Sequence, residues 1–132
     1  MLRVLDAYSL IAYFENESGA KEMIEIFKTA RDSGQDLLLS VVNWGEVYYI
    51  TLREAGEKKA REVDEVIKAL PISIMAADLE LARQASQFKA TKRMSYADCY
   101  AAALAKMHRA ELVTGDQEFR QIEGEVKIHW IG

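Results

Sequence analysis

Short apolar runs alternate with amphipathic helical stripes from one end of this chain to the other, and no other feature narrows the possible folds as much. The runs are Met1-Leu2-Arg3-Val4-Leu5-Asp6, Leu37-Leu38-Leu39-Ser40, Ile72-Ser73-Ile74, Glu111-Leu112-Val113-Thr114 and Val126-Lys127-Ile128-His129-Trp130. Strands this short and this apolar suit a parallel sheet covered on both faces. Between them lie stripes at helical spacing: Ala20, Met23, Ile24 and Phe27, then Ala60, Val63, Ile67 and Leu70, then Leu81, Ala85 and Phe88. Ala7 to Phe14 reads as a short helix or turn. Ser33-Gly34 and Gly56 are stop signals, Pro71 closes a further helix, and Ser18 and Asn43 stand where N-caps are expected. The pattern predicts an α/β domain with a central, mainly parallel sheet and helices on both faces.

The chain length, 132 residues, predicts one domain over 1–132. No apolar run reaches the roughly 18 residues of a membrane span, so no membrane association is expected. The N-terminus has Arg3 but no cleavable apolar segment, so no secretory signal is expected. A single cysteine, Cys99, excludes an internal disulfide and fits a reducing, cytoplasmic setting. The net charge of −4 argues against a passive nucleic-acid binder. It leaves room for an enzyme whose carboxylates hold cations, because bound cations reverse the local sign. There is no Gly-rich phosphate loop, and no Ser/His/Asp or Cys/His pattern at a recognisable spacing.

Four acids stand out by position. Met94-Ser95-Tyr96-Ala97-Asp98 opens an alanine-rich helix, with Ser95 as N-cap and Asp98 at the capping-box position near the helix's positive end. Asp6 ends the first strand, Asp116 follows the fourth, and Glu46 lies about one helical turn past the second. Sites in open parallel sheets form beyond the carboxyl ends of the strands, and there these four could converge. Each also has an ordinary explanation: Asp6 as a cap of the next segment, Glu46 and Asp98 as capping-box acids, Asp116 as a turn residue. Clustered carboxylates repel and are costly to desolvate, so a cation or protons must neutralise them. An all-oxygen set suits Mg²⁺ or Mn²⁺. Zinc does not suit, because His108 and His129 fit no ligand spacing. Two such ions about 4 Å apart can activate water and stabilise the leaving oxygen of a phosphodiester.

These pieces, Val4-Leu5-Asp6 with Ser9, Asn43-Trp44-Gly45-Glu46-Val47, Ser95-Tyr96-Ala97-Asp98 with Ala101, and Leu112-Val113-Thr114-Gly115-Asp116 with Phe119, resemble the PIN-domain superfamily. Within it they are similar to the VapC ribonuclease toxins of toxin–antitoxin pairs. Each motif is short, but the four come in the family's order and span nearly the whole chain. The resemblance implies a three-layer α/β/α sandwich and a metal-dependent endoribonuclease that hydrolyses RNA phosphodiester bonds by metal-activated water. It implies Asp6, Glu46, Asp98 and Asp116 as the acids that hold Mg²⁺ or Mn²⁺, supported by Ser9 and Thr114. Products would carry a 5′-phosphate and a 3′-hydroxyl. A homodimer and an inhibiting antitoxin are implied as partners. The same resemblance also covers PIN-like modules that bind without cleaving.

Among the remaining features, Arg83, Lys89, Lys92 and Arg93 precede the Asp98 helix and could touch RNA phosphates, although cations at a helix end also complement its dipole. Trp44, Tyr48 and Tyr49 could stack on bases or form a protein contact, with core packing expected for at least two of them. A receiver-like phosphoacceptor domain is the other acidic α/β reading. It needs paired acids after the first strand, whereas here Ala7 follows Asp6.

Overall fold

The computed structural model describes residues 1–132. In chain order it has β1 (Arg3–Leu5), α1 (Ala7–Phe14), α2 (Ala20–Ser33), β2 (Leu37–Ser40), α3 (Val41–Ala55), α4 (Glu57–Ala69), β3 (Ile72–Met75), α5 (Leu79–Thr91), α6 (Tyr96–Met107), β4 (Glu111–Thr114), a 3₁₀ segment (Gln117–Ile122) and β5 (Ile128–Trp130). The strands form one sheet in the order β3-β2-β1-β4-β5. Every pairing is parallel, with Val4 opposite both Leu38 and Leu112. The expected α/β/α sandwich is therefore present, and its sheet is parallel throughout.

Alternation along the buried strands divides the core in two. Val4, Leu38 and Leu112 face α5, α6 and the 3₁₀ segment, where they meet Leu81, Phe88, Phe119 and Ile122. Leu5, Leu39 and Val113 point the other way, into Met23, Phe27, Val47, Val63 and Ile67 of α2, α3 and α4. Both faces are covered, so no strand needs a polar side.

Most boundaries follow the local chemistry. Gly34 takes the left-handed conformation (φ 70°) that ends α2. Leu70 is extended ahead of Pro71, which ends α4. Two caps differ from expectation. The residue capping α3 is Ser40, whose hydroxyl accepts from the Val42 N–H at 3.2 Å. Asn43 is therefore not the cap but an interior residue, because the helix starts directly off β2. Ser18 does not cap α2 either: the cap position is Gly19, with no side-chain bond.

Candidate metal centre

β1 and β4 are neighbours at the point where the chain switches from building one side of the sheet to building the other, the usual place for a site in this architecture. Asp6 leaves the end of β1 and N-caps α1, its Oδ1 accepting from the Ser9 N–H at 2.9 Å. The Ser9 hydroxyl donates to the Asp6 carbonyl at 2.9 Å, which closes the first turn. From β4, the Thr114 hydroxyl donates to Asp6 Oδ2 at 2.5 Å and accepts from the Asp116 N–H at 3.0 Å. Thr114 thus ties the Asp6 carboxylate to the backbone of Asp116. Ser9 and Thr114 are fully buried, and Asp6 is 1 % exposed.

Asp98 arrives from the opposite direction, in the first turn of α6. Ser95 caps that helix by accepting from the Asp98 N–H at 3.1 Å. The reciprocal bond of a capping box is not made, so the carboxylate is left to face the site. Asp116 caps the 3₁₀ segment through the Glu118 N–H at 3.0 Å. Carboxylate oxygens of Asp98, Asp116 and Glu118 lie within 4.8 Å of one another. Glu46 stands outside this close group but approaches it from α3, near enough to feel the Asp116 charge, and Asn43 Nδ2 donates to its Oε1 at 2.9 Å. Because α3 starts at Val41, Glu46 lies in the second turn and has no part in capping.

The electrostatics record this crowding. Burial pushes the Asp6 carboxyl up to about 7, and the Asp98 charge adds to the rise; hydrogen bonds from Thr114 and Ser9 offset only part of it. Asp98 also rises to about 7, first through burial and then through repulsion from Asp116, Glu46 and Glu118. Glu46 is raised by burial and by Asp116, against the Asn43 hydrogen bond. The four acids singled out in the sequence are therefore coupled through their charges, Asp98 and Asp116 within the close group and Asp6 and Glu46 at its margin. Glu118 joins them, a residue that the sequence motifs miss. Its only signal is the Asp-X-Glu spacing at the start of the 3₁₀ segment, which a solvated turn also produces.

The donor set fits a hard divalent cation. All the candidate ligand atoms are oxygens, and those of Asp98, Asp116 and Glu118 lie no farther apart than about twice a metal–oxygen bond of roughly 2.0–2.6 Å. No histidine or cysteine sulfur joins the cluster.

The cations expected beside the site are mostly engaged. Lys89 Nζ donates to the Met94 carbonyl at 2.7 Å, and Lys92 pairs with Glu125 at 3.7 Å. Arg83 pairs with Glu80. Arg93 is held through its backbone by Gln121, which leaves its guanidinium unpaired. Trp44 stacks on Tyr48 with ring centroids 5.2 Å apart and donates to Asp64 at 2.9 Å, whereas Tyr49 is exposed beside Arg53.

No curated protein matches the sequence significantly. Solved structures share the fold at low identity. The VapBC2 complex of Rickettsia felis, bound to promoter DNA, matches at TM-score 0.82 and 11 % identity over 100 % of both chains. DNA-bound VapBC of Salmonella typhimurium matches at TM-score 0.79 and 20 % identity over 98 % of both. Mycobacterium tuberculosis VapC20, a sarcin-ricin loop cleaving toxin, matches at 0.71 and 14 % over 90 % of this chain and 93 % of that one. The family model for the PIN domain matches residues 3–125, so the chain belongs to the PIN-domain family.

Proposed function

We propose that this chain is a divalent-metal-dependent endoribonuclease, acting as the toxin of a toxin–antitoxin pair and folded as one domain over 1–132. The observation that carries the reading is the carboxylate cluster itself. Asp6 and Asp98 are both raised to about 7, Asp6 by burial and the Asp98 charge, Asp98 by burial and the charges of Asp116, Glu46 and Glu118, and no cationic side chain offsets either shift. Such an arrangement disfavours the metal-free fold, and a bound Mg²⁺ or Mn²⁺ would relieve it. Asp6, Glu46, Asp98 and Asp116 are proposed to hold the cation, with Glu118 beside them.

A divalent cation bound there would supply Lewis acidity toward water and the scissile phosphate. The chain's own groups do the rest. Ser9 and Thr114 fix both oxygens of Asp6, and Ser95 fixes the turn that presents Asp98. Arg93 is the cation left to meet an RNA phosphate, with Lys89 and Lys92 available only by exchanging their present partners. The structural likeness to VapBC complexes supports an antitoxin partner, and a homodimer is proposed beside it. No helix is long and apolar enough to cross a membrane.

The test compares wild type with Asp98→Asn on a mixed RNA pool, with Mg²⁺ or Mn²⁺ and then with EDTA. Cleavage by wild type that is lost both in the variant and in EDTA is expected. Cleavage that survives in the variant would contradict the assignment of Asp98. No cleavage by wild type on any RNA, together with intact Mn²⁺ binding, would favour a binding module.

A further inference from the structure

Asn43 is an amide in a place that otherwise favours an apolar side chain. It lies on the third residue of α3 with no solvent exposure. Its Nδ2 donates twice, to Glu46 Oε1 at 2.9 Å and to the Ala97 carbonyl at 3.0 Å. Its Oδ1 has no partner and is the one buried side-chain polar atom in that condition. An unpaired buried acceptor disfavours folding, and an apolar residue of similar shape would remove the penalty. The amide also has only one workable orientation. Turned over, Oδ1 would face a carboxylate and a carbonyl, both acceptors.

The two bonds join different parts of the site. Glu46 belongs to α3, and Ala97 is the residue before Asp98 in the first turn of α6. Glu46 and Asp98 repel each other across the line where α3 packs on α6. One residue spans that line, using both of its amide protons.

We infer that Asn43 is a positioning residue, which holds the Glu46 carboxylate toward the first turn of α6, on the side from which it would join Asp98 in binding a divalent cation. The inference rests on the reading of the acidic cluster as a metal site. A purely structural tie between α3 and α6 is the competing explanation, and the two differ in whether the effect passes through the Glu46 carboxylate.

The test measures Mn²⁺ binding by titration calorimetry for the full chain as wild type, Asn43→Ala, Glu46→Gln and the double variant. Residues that orient metal ligands typically change affinity by roughly 10- to 100-fold. A loss of about tenfold or more is expected for Asn43→Ala in the wild-type background, and little further loss once Glu46 is already glutamine. Equal losses in both backgrounds, or none in wild type, would overturn the inference. The rise in Tm on adding Mn²⁺ is a second readout for the case where Glu46→Gln binds too weakly to titrate. It shrinks in Asn43→Ala if the residue positions Glu46, and is unchanged if the residue only joins helices. If the alanine variant does not fold, Asn43→Ser takes its place, since one hydroxyl cannot serve both acceptors. Wild type that shows no saturable Mn²⁺ binding would overturn the metal site itself, and the inference with it. Intact wild-type binding with no effect of Asn43→Ala would overturn the inference alone.

Discussion

Asp6 shows how a single side chain can be well bonded and still uncomfortable. Thr114 and the Ser9 N–H satisfy both its oxygens, yet burial beside the Asp98 charge keeps its carboxyl at about 7. An asparagine there would still accept from Ser9, and the Thr114 hydroxyl could turn to accept from its amide. Asp6→Asn is therefore expected to stabilise the metal-free protein at pH 7.5. The gain should be on the order of 1–3 kcal/mol, since a rise of one in a folded-state pKa corresponds to ~1.4 kcal/mol. The substitution should also abolish the stabilisation by Mn²⁺, the trade expected where function keeps a destabilising residue. Urea denaturation with and without Mn²⁺ measures both effects, and a variant less stable than wild type without metal would refute the account. Gly115 makes a steric case at the same scale. A Cβ there would stand 2.8 Å from the Ile131 carbonyl and closer still to the Tyr8 ring. Tyr8 is 40 % exposed and can swing away, but the carbonyl is fixed backbone. Gly115→Ala is expected to cost about 1–3 kcal/mol by overpacking, and to displace Asp116 next to it. Adding Tyr8→Ala should recover only part of the loss, as thermal melts of the single and double variants would show.

At the scale of elements, α6 is what brings Asp98 to the sheet edge. Ala101, Ala102, Ala103 and Ala105 are all fully buried, so the helix lies close against the sheet and α5. Ala102→Leu has no space to enter, and is expected to lower stability by about 1–3 kcal/mol. Because Asp98 rides on the same helix, Mn²⁺ affinity should fall too; an unchanged affinity in a destabilised variant would mean the first turn is held independently. Much of this element is legible in the sequence. Ser95 is a strong cap, the alanine run permits close packing, and the other helices announce their stops through Gly34, Gly56 and Pro71. α3 is harder, because Ser40 and Asn43 are both good caps and Glu46 falls three residues after Asn43, which imitates a capping box. Direct continuation from β2 into the helix decides it, and that is a tertiary fact. Glu118 is hidden for a related reason: an exposed acid in a turn has no local mark separating it from any solvated residue. That Lys89 and Lys92 spend their charges on Met94 and Glu125 depends on contacts that no spacing in the sequence could show.

For the molecule as a whole, the perturbed carboxylates divide into two groups that act in different pH ranges. Glu22 is held below its ordinary value of 4.5 by the Gly132 N–H, and Glu125 by Lys106; Glu111 is pushed up by burial but drawn below 4.5 overall by Arg3 and Lys127. A carboxylate with a lowered folded pKa stabilises above its unfolded value, and that contribution is lost as pH falls through the folded pKa. The stabilisation from these three is therefore complete above about 4.5 and lost below it. Asp6, Asp98 and Glu46 have the opposite sign, because their folded pKa values are raised. The unfolded chain releases those protons first, so their destabilisation is absent below about 3.8, grows as pH rises, and is complete for Asp6 and Asp98 once pH passes about 7. The metal-free protein should accordingly be most stable near pH 5 and lose Tm steadily toward pH 7.5. A cation binds the deprotonated cluster, so the Tm gained on adding Mn²⁺ should grow over the same interval. Asp98→Asn should flatten the metal-free decline and remove most of the Mn²⁺ gain. Melts at half-unit steps from pH 4.5 to 8 check all of this; a wild-type Tm that stays level or rises toward pH 7.5 without metal would mean that the carboxylates do not crowd as the geometry requires.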